Sequence, residues 1–237
     1  LVRIHTGRAE DWVIDGFDTI YADPSRRTGL YRSTSLRSIS PSIEYLTNVI
    51  ARVPAAAIKL APASSISDVQ SSFPSAEIEF VSVEGELKET VVWTSKAAHY
   101  SRRATALPSG AELTGEAEAY LPVHDVRAYV ADPDPALIRS GLFREFASST
   151  GIDHSLLADR IALLTSDTAV ATPFARYFRV IDCLPFSDRN IRKRLHDLNA
   201  GLLSVRSRGF PEASEAILEA GANTEARNKE GLTPLIL

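Results

Sequence analysis

The chain has 237 residues, 44% of them hydrophobic and 8% aromatic, with a formal net charge of −4. That is enough apolar material for one large or two modest cores. The mild acidity excludes a polycation that grips nucleic acid over its whole surface, so any such binding must come from local patches.

Leu1 to Thr6 reads as a short strand, and Gly7 to Trp12 as a turn entering a short helix that starts with Glu10 and Asp11. Phe17 to Ala22 is the next strand. It must end at Asp23-Pro24-Ser25-Arg26-Arg27, because Pro24 lacks an amide hydrogen and biases Asp23 away from helical geometry. In an open α/β sheet, ligands bind outside the carboxyl ends of strands, where Asp23 would stand. Its carboxylate could accept hydrogen bonds from a substrate, while Arg26 and Arg27 could clamp phosphate in a fork. The plainer alternative is a strand-ending turn with a surface ion pair.

Thr28 to Ser40 is polar and reads as a mobile loop. Pro41 to Val53, with a capping serine and Ile43, Leu46, Val49 and Ile50 at helical spacing, reads as an amphipathic helix. Ala55 to Leu60 is a buried strand carrying Lys59 at its end, followed by a serine-rich loop. Ala76 to Val83 and Leu87 to Thr94 form a hairpin about Glu84-Gly85-Glu86. A crossover pattern followed by a hairpin implies a mixed sheet with a largely parallel body.

Lys96 to Tyr120 reads as a linker holding a small hairpin that turns at Pro108 to Gly110. From Tyr129 a second unit begins. Asp134-Pro135 opens a helix through Leu137, Leu142 and Phe146. Ile161 to Leu164 and Tyr177 to Leu184 are strands, and Ser187 to Leu198 is a basic helix. Leu202 to Arg206 is a strand and Glu212 to Glu219 a last helix. The boundaries are therefore 1–95, 96–128, 129–210 and 211–237.

The single cysteine, Cys183, excludes an internal disulfide and fits a reducing, cytoplasmic setting; alone, it reads as a small core hydrophobe. The five histidines have no partner at metal-ligand spacing, so no metal site is expected. No apolar run approaches the roughly 20 residues that cross a bilayer, and neither a membrane contact nor a signal peptide is expected. With Leu1 already inside a strand and no methionine present, the chain reads as a fragment.

Five ordered blocks carry a resemblance. They are Asp-Pro-Ser-Arg-Arg at 23–27, Ile-Lys-Leu-Ala-Pro at 58–62 and Val-Ser-Val-Glu-Gly-Glu-Leu-Lys-Glu at 81–89. The stretch from Pro133 to Leu142 is the fourth, and Leu163 to Asp167 with Thr172 to Val180 is the fifth. Together they resemble a bacterial class I S-adenosylmethionine-dependent methyltransferase family with a THUMP-like carboxyl-terminal domain. The resemblance implies an α/β fold: the second half of a Rossmann-like class I methyltransferase sheet (1–95), then a small α+β THUMP-like domain (129–210).

The resemblance also implies roles. Asp23 and Pro24 fall where the superfamily orients an acceptor amine, with Arg26, Arg27 and Lys59 beside the same cleft. The aromatic that follows in amino-methylating members is absent, since Ser25, Arg26 and Arg27 follow instead. Glu86 and Glu89 flank the hairpin and read as more often solvent-facing than part of the site. The family's glycine-rich cofactor loop has no counterpart, and no Gly-x-Gly occurs in the chain. Glu10 or Asp11 is the one acid positioned to approach the adenine of S-adenosylmethionine, against a plainer role as helix-start acids. The cofactor is thus that of a longer protein, and this chain alone is expected not to bind it measurably.

THUMP-type domains bind structured RNA, so the basic helix Arg189, Arg192, Lys193 and Arg194, with Arg206 and Arg208, is the candidate RNA surface; a solvated basic face is the alternative. Ile217 to Leu235 is similar to an ankyrin repeat junction. Either it opens a protein-binding array, or Leu232 to Leu237 closes the second sheet. The implied function is methyl transfer to RNA. The alternative is a catalytically inactive RNA- or protein-binding module with an ankyrin-type tail.

Overall fold

A computed structural model describes residues 2–28, 31–32, 35–116, 120–159, 161–184, 187–199 and 235–236. The described chain forms two compact units. The first comprises 1–120 with 134–149, the second 121–133 with 150–237. The helical stretch from Asp134, read from sequence as part of the second unit, thus belongs with the first.

In the first unit the strands are β1 (Thr19–Ala22), β4 (Ala55–Leu60), β5 (Glu77–Val83), β6 (Glu86–Ser95), β7 (Arg102–Leu107) and β8 (Ala111–Gly115). They form one mixed sheet in the order β1-β4-β6-β5-β7-β8. β1/β4 and β5/β7 are parallel; β4/β6, β5/β6 and β7/β8 are antiparallel. The body is therefore less parallel than the crossover pattern implied. The β5–β6 hairpin turns at Glu84 and Gly85, both at positive φ, the requirement of a tight turn that suits twisted strands. The hairpin expected inside a linker is instead the sheet's far edge, β7 lying parallel to β5.

Helix α1 (Ile43–Ile50) begins where the Ser42 hydroxyl accepts the Tyr45 amide, and it buries Leu46, Val49 and Ile50. Each such side chain contributes roughly 1.5–3 kcal/mol against exposure. The stretch read as a serine-rich loop contains α2 (Ile66–Ser72). Ser65 caps it through the Asp68 amide, and Val69 and Phe73 are its buried anchors. The serine content hid this helix, because serine serves caps and loops equally well.

The expected strand at Leu1–Thr6 does not form over residues 2–6. Val2 and Ile4 are 88% and 89% exposed, and alternation without a neighbouring strand leaves the backbone groups unpaired. The segment expected as a mobile loop is ordered where it is described. β2 (Arg27–Thr28) and β3 (Tyr31–Arg32) pair, and Leu36 and Ile39 are buried.

Helix α3 (Pro135–Ser140) is capped by the Asp134 carboxylate on the Ala136 amide and stopped by Gly141 in the left-handed region. It packs over β5 and β7. In α4 (Phe143–Thr150), Phe146 is buried.

The second unit holds the sheet β10-β11-β9-β12-β13. Its strands are β9 (Tyr129–Pro133), β10 (Ser155–Ala158), β11 (Ile161–Ser166), β12 (Ala175–Asp182) and β13 (Leu235–Ile236). β9 and β10 escaped the sequence reading. The expected elements at 202–206 and 212–219 lie outside the described residues. Leu235–Ile236 pair in parallel with Val180 and Asp182 of β12, the arrangement of a closing strand. Cys183 is exposed, not a core residue.

Arg127 fastens this unit. One guanidinium nitrogen faces Asp153 at 3.0 Å and Asp167 at 3.4 Å, while the other donates to the carbonyls of Asp153 and Thr165. Nearby, buried His154 shares a hydrogen bond of 2.6 Å with the Tyr177 hydroxyl. Burial pushes Tyr177 up to about 12 and, as the leading cause, pushes His154 below its ordinary value.

The unfolded chain therefore takes up the His154 proton first, and stability falls as pH drops through 6.5. Urea midpoints from pH 7.5 to 5 should decline less steeply in His154→Gln than in the native chain. Equal slopes would remove His154 as the cause.

Candidate functional site

Register assembles the site. Ala22 pairs with Ile58 across the parallel β1/β4 ladder, so the next residue, Asp23, falls beside Lys59. Lys59 in turn pairs with Val91, and Glu89 lies two residues along β6 on the same face. The Lys59 Nζ sits 3.4 Å from Asp23 Oδ2 and 3.4 Å from Glu89 Oε2. Asp23's charge foremost, then Glu89's hydrogen bond and charge, hold the ammonium above its usual range. At neutral pH Lys59 is therefore a fixed cation between two carboxylates, not a base.

The Asp-Pro corner is pinned from behind. Pro24 is buried, and Ser25 and Ser40 exchange backbone hydrogen bonds of 2.8 and 2.9 Å. This holds Asp23 at the strand end with its side chain 55% exposed. Among the described residues its Oδ1 has no protein partner, so that oxygen can accept a hydrogen bond from outside. Tyr21, on the same face by alternation, is exposed beside it.

Other expected residues fall elsewhere. Arg26 is half-buried, and the Arg27 side chain lies outside the described residues. Glu86 pairs with Lys88 at 2.6 Å and leaves the site, whereas Glu89 joins it. Glu10 lies 3.6 Å from Arg8 in a 3-10 turn, Ala9–Asp11, that the Tyr45 hydroxyl holds through the Ala9 carbonyl. Glu10 and Asp11 occupy its first turn, the place of helix-start acids. On α5 (Asp188–Asp197), Arg189, Arg192 and Lys193 are exposed, while Arg194 is drawn to Asp182 at 2.8 Å. Arg206 and Arg208 lie outside the described residues.

A family model described as THUMP domain-like matches residues 175–219. Two Mycobacterium tuberculosis proteins, from strains CDC 1551 and H37Rv, bear the name uncharacterized S-adenosylmethionine-dependent methyltransferase. Each is 29% identical over 200 residues, covering 84% of this chain and 54% of the relative. Over 175–219 the chain is similar to THUMP-like domains, and over 200 residues it is similar to proteins named S-adenosylmethionine-dependent methyltransferases.

It spans about half the length of the curated relatives it matches. A crystal structure from Porphyromonas gingivalis W83, of a protein assigned as a methyltransferase, superposes with a TM-score of 0.69. The match covers 88% of this chain and 54% of that one at 23% identity, and it shows the shared fold. S-adenosylmethionine is the cofactor of the methyltransferases to which the chain is related. No described helix is long and apolar enough to cross a membrane.

Proposed function

We propose that this chain is the acceptor-side half of an S-adenosylmethionine-dependent RNA methyltransferase, joined to a THUMP-like RNA-binding unit. The observation that carries the reading is the Asp23–Lys59–Glu89 cluster at the carboxyl ends of β1 and β4. Methyl transfer needs an acceptor held in line more than it needs acid or base, so positioning dominates. Asp23 Oδ1 would accept from an acceptor amine. Lys59 would fix the orientation of the carboxylate, and Glu89 would fix Lys59. Among the described residues β1 is an edge strand, and Phe17 and Tyr21 are exposed beside it, which supports further strands pairing there in the complete protein.

RNA as the acceptor is supported by the THUMP-like match and by the exposed cations of α5. Mass spectrometry of RNA nucleosides from cells with and without the complete gene tests it. One methylated nucleoside should vanish with the gene, and an unchanged profile would refute RNA as the substrate. Replacing Arg189 and Lys193 by glutamine should weaken RNA binding for all sequences alike. It should lower the salt slope by about 0.7 for each lost single-strand phosphate contact. An unchanged slope would remove α5 from the interface.

A further inference from the structure

On β7, side chains alternate between two environments. Arg103 shares the face of Lys59, Val91 and Glu79, while Arg102 shares the opposite face with Ile58, Val92 and Ile78. Arg103 is paired with carboxylates, as buried cations normally are. Arg102 is not. The residue is only 8% exposed, yet among the described residues its side chain makes no hydrogen bond and no ion pair.

A second cation stands near it. Arg139 of α3 lies over the Phe80 ring, 5.5 Å from its centre, and Phe80 pairs with Ala104, two residues along from Arg102. Arg139 donates to the Ser64 carbonyl at 2.7 Å, which fixes the guanidinium without neutralising it. Burial first, and then the charge of Arg139, push Arg102 below its usual range; Glu116 alone opposes them, from beyond ion-pair distance. Burial lowers Arg139 as well. The Arg139 Nε and the hydroxyl of Ser64, a residue 1% exposed, are both buried and without a partner.

Two partly desolvated like charges beside a buried hydroxyl without a partner make an unfavourable arrangement for the free chain. Shared anionic oxygens would relieve it, because guanidinium forks match the oxygens of a phosphate group. We propose that Arg102, Arg139 and Ser64 form a binding site for a phosphate-type oxyanion in the first unit, on the α3-covered face of its sheet. The site lies on the face opposite Lys59 and stands independently of the methyl-transfer reading.

Thermal unfolding of the 237-residue chain in sodium phosphate, against sodium chloride at equal ionic strength, tests it. Phosphate should raise the midpoint by several degrees in a saturable way. Its apparent affinity should fall roughly tenfold or more in Arg102→Gln, the effect of losing a charge-assisted hydrogen bond. Arg139→Lys keeps the charge but not the fork, so it provides the same reading if Arg102→Gln fails to fold. Equal midpoints in the two salts, or full phosphate stabilisation of Arg139→Lys, would overturn the site.

A short RNA added to the phosphate-bound chain distinguishes the sources of the anion. Displacement of phosphate by RNA whose affinity also falls in Arg102→Gln assigns a phosphodiester. RNA binding indifferent to that substitution assigns free phosphate.

Discussion

Replacing Glu77 by alanine should lower the unfolding free energy by about 3–5 kcal/mol, the range for breaking one side of a buried ion pair. Glu77 is fully buried, and its carboxylate accepts three hydrogen bonds: Arg103 Nε donates at 2.6 Å, and the amides of His99 and Tyr100 at 2.8 and 3.1 Å. Truncation leaves Arg103 without its closest counter-charge and strands two amides that hold the start of the β7 hairpin. Glu112, 3.2 Å from Arg103 on the exposed side, offsets only part of this.

Urea denaturation followed through Trp93 gives the measurement, since its indole donates to neighbouring Glu79 at 2.7 Å and reports on the same sheet. Glu77→Gln keeps an oxygen for the amides and should cost less. Glu77→Ala combined with Arg103→Leu should regain much of the loss, because removing both partners of a buried pair is often close to neutral. A loss below about 1 kcal/mol in Glu77→Ala would mean that the network is peripheral to stability.

On the proposed function, Asp23→Ala in the complete protein should reduce kcat/KM for the acceptor by about a hundredfold or more, with S-adenosylmethionine affinity changed by less than about twofold. A hundredfold corresponds to about 2.7 kcal/mol of transition-state stabilisation, the scale of one well-placed charged hydrogen bond. Asp23→Asn retains one carbonyl oxygen and should keep more activity than the alanine variant. Lys59→Met should lose about tenfold, since Lys59 only orients the carboxylate. Steady-state kinetics with both substrates varied separates these effects. Activity of Asp23→Ala within threefold of the native enzyme would refute the acceptor role, and a collapse of cofactor affinity would place Asp23 on the wrong side of the cleft.

Some of this protein could be read from its residues alone. Alternation and a Gly-centred turn placed the β5–β6 hairpin. The capping serine and apolar spacing placed α1, and Pro24 placed the end of β1. These signals are local: each rests on backbone preferences within a few residues. The five blocks also carried the family resemblance. Tyr129–Pro133 and Ser155–Ala158 were missed for the opposite reason. Strands of only four or five residues show their character only when a neighbouring ladder completes their hydrogen bonds.

The sequence by itself determined that Asp23 ends a strand and that Lys59 ends another. Only the tertiary structure decided that they meet, because the offset between parallel strands is fixed by packing across a crossover and not by either strand. The same holds for Glu89 over Glu86. Two acids three residues apart look equivalent along the chain, but strand alternation and pairing turn one toward Lys59 and the other toward Lys88. Arg102 and Arg103 differ for that reason too: neighbours in sequence, they stand on opposite faces of one sheet, one satisfied by carboxylates and one not.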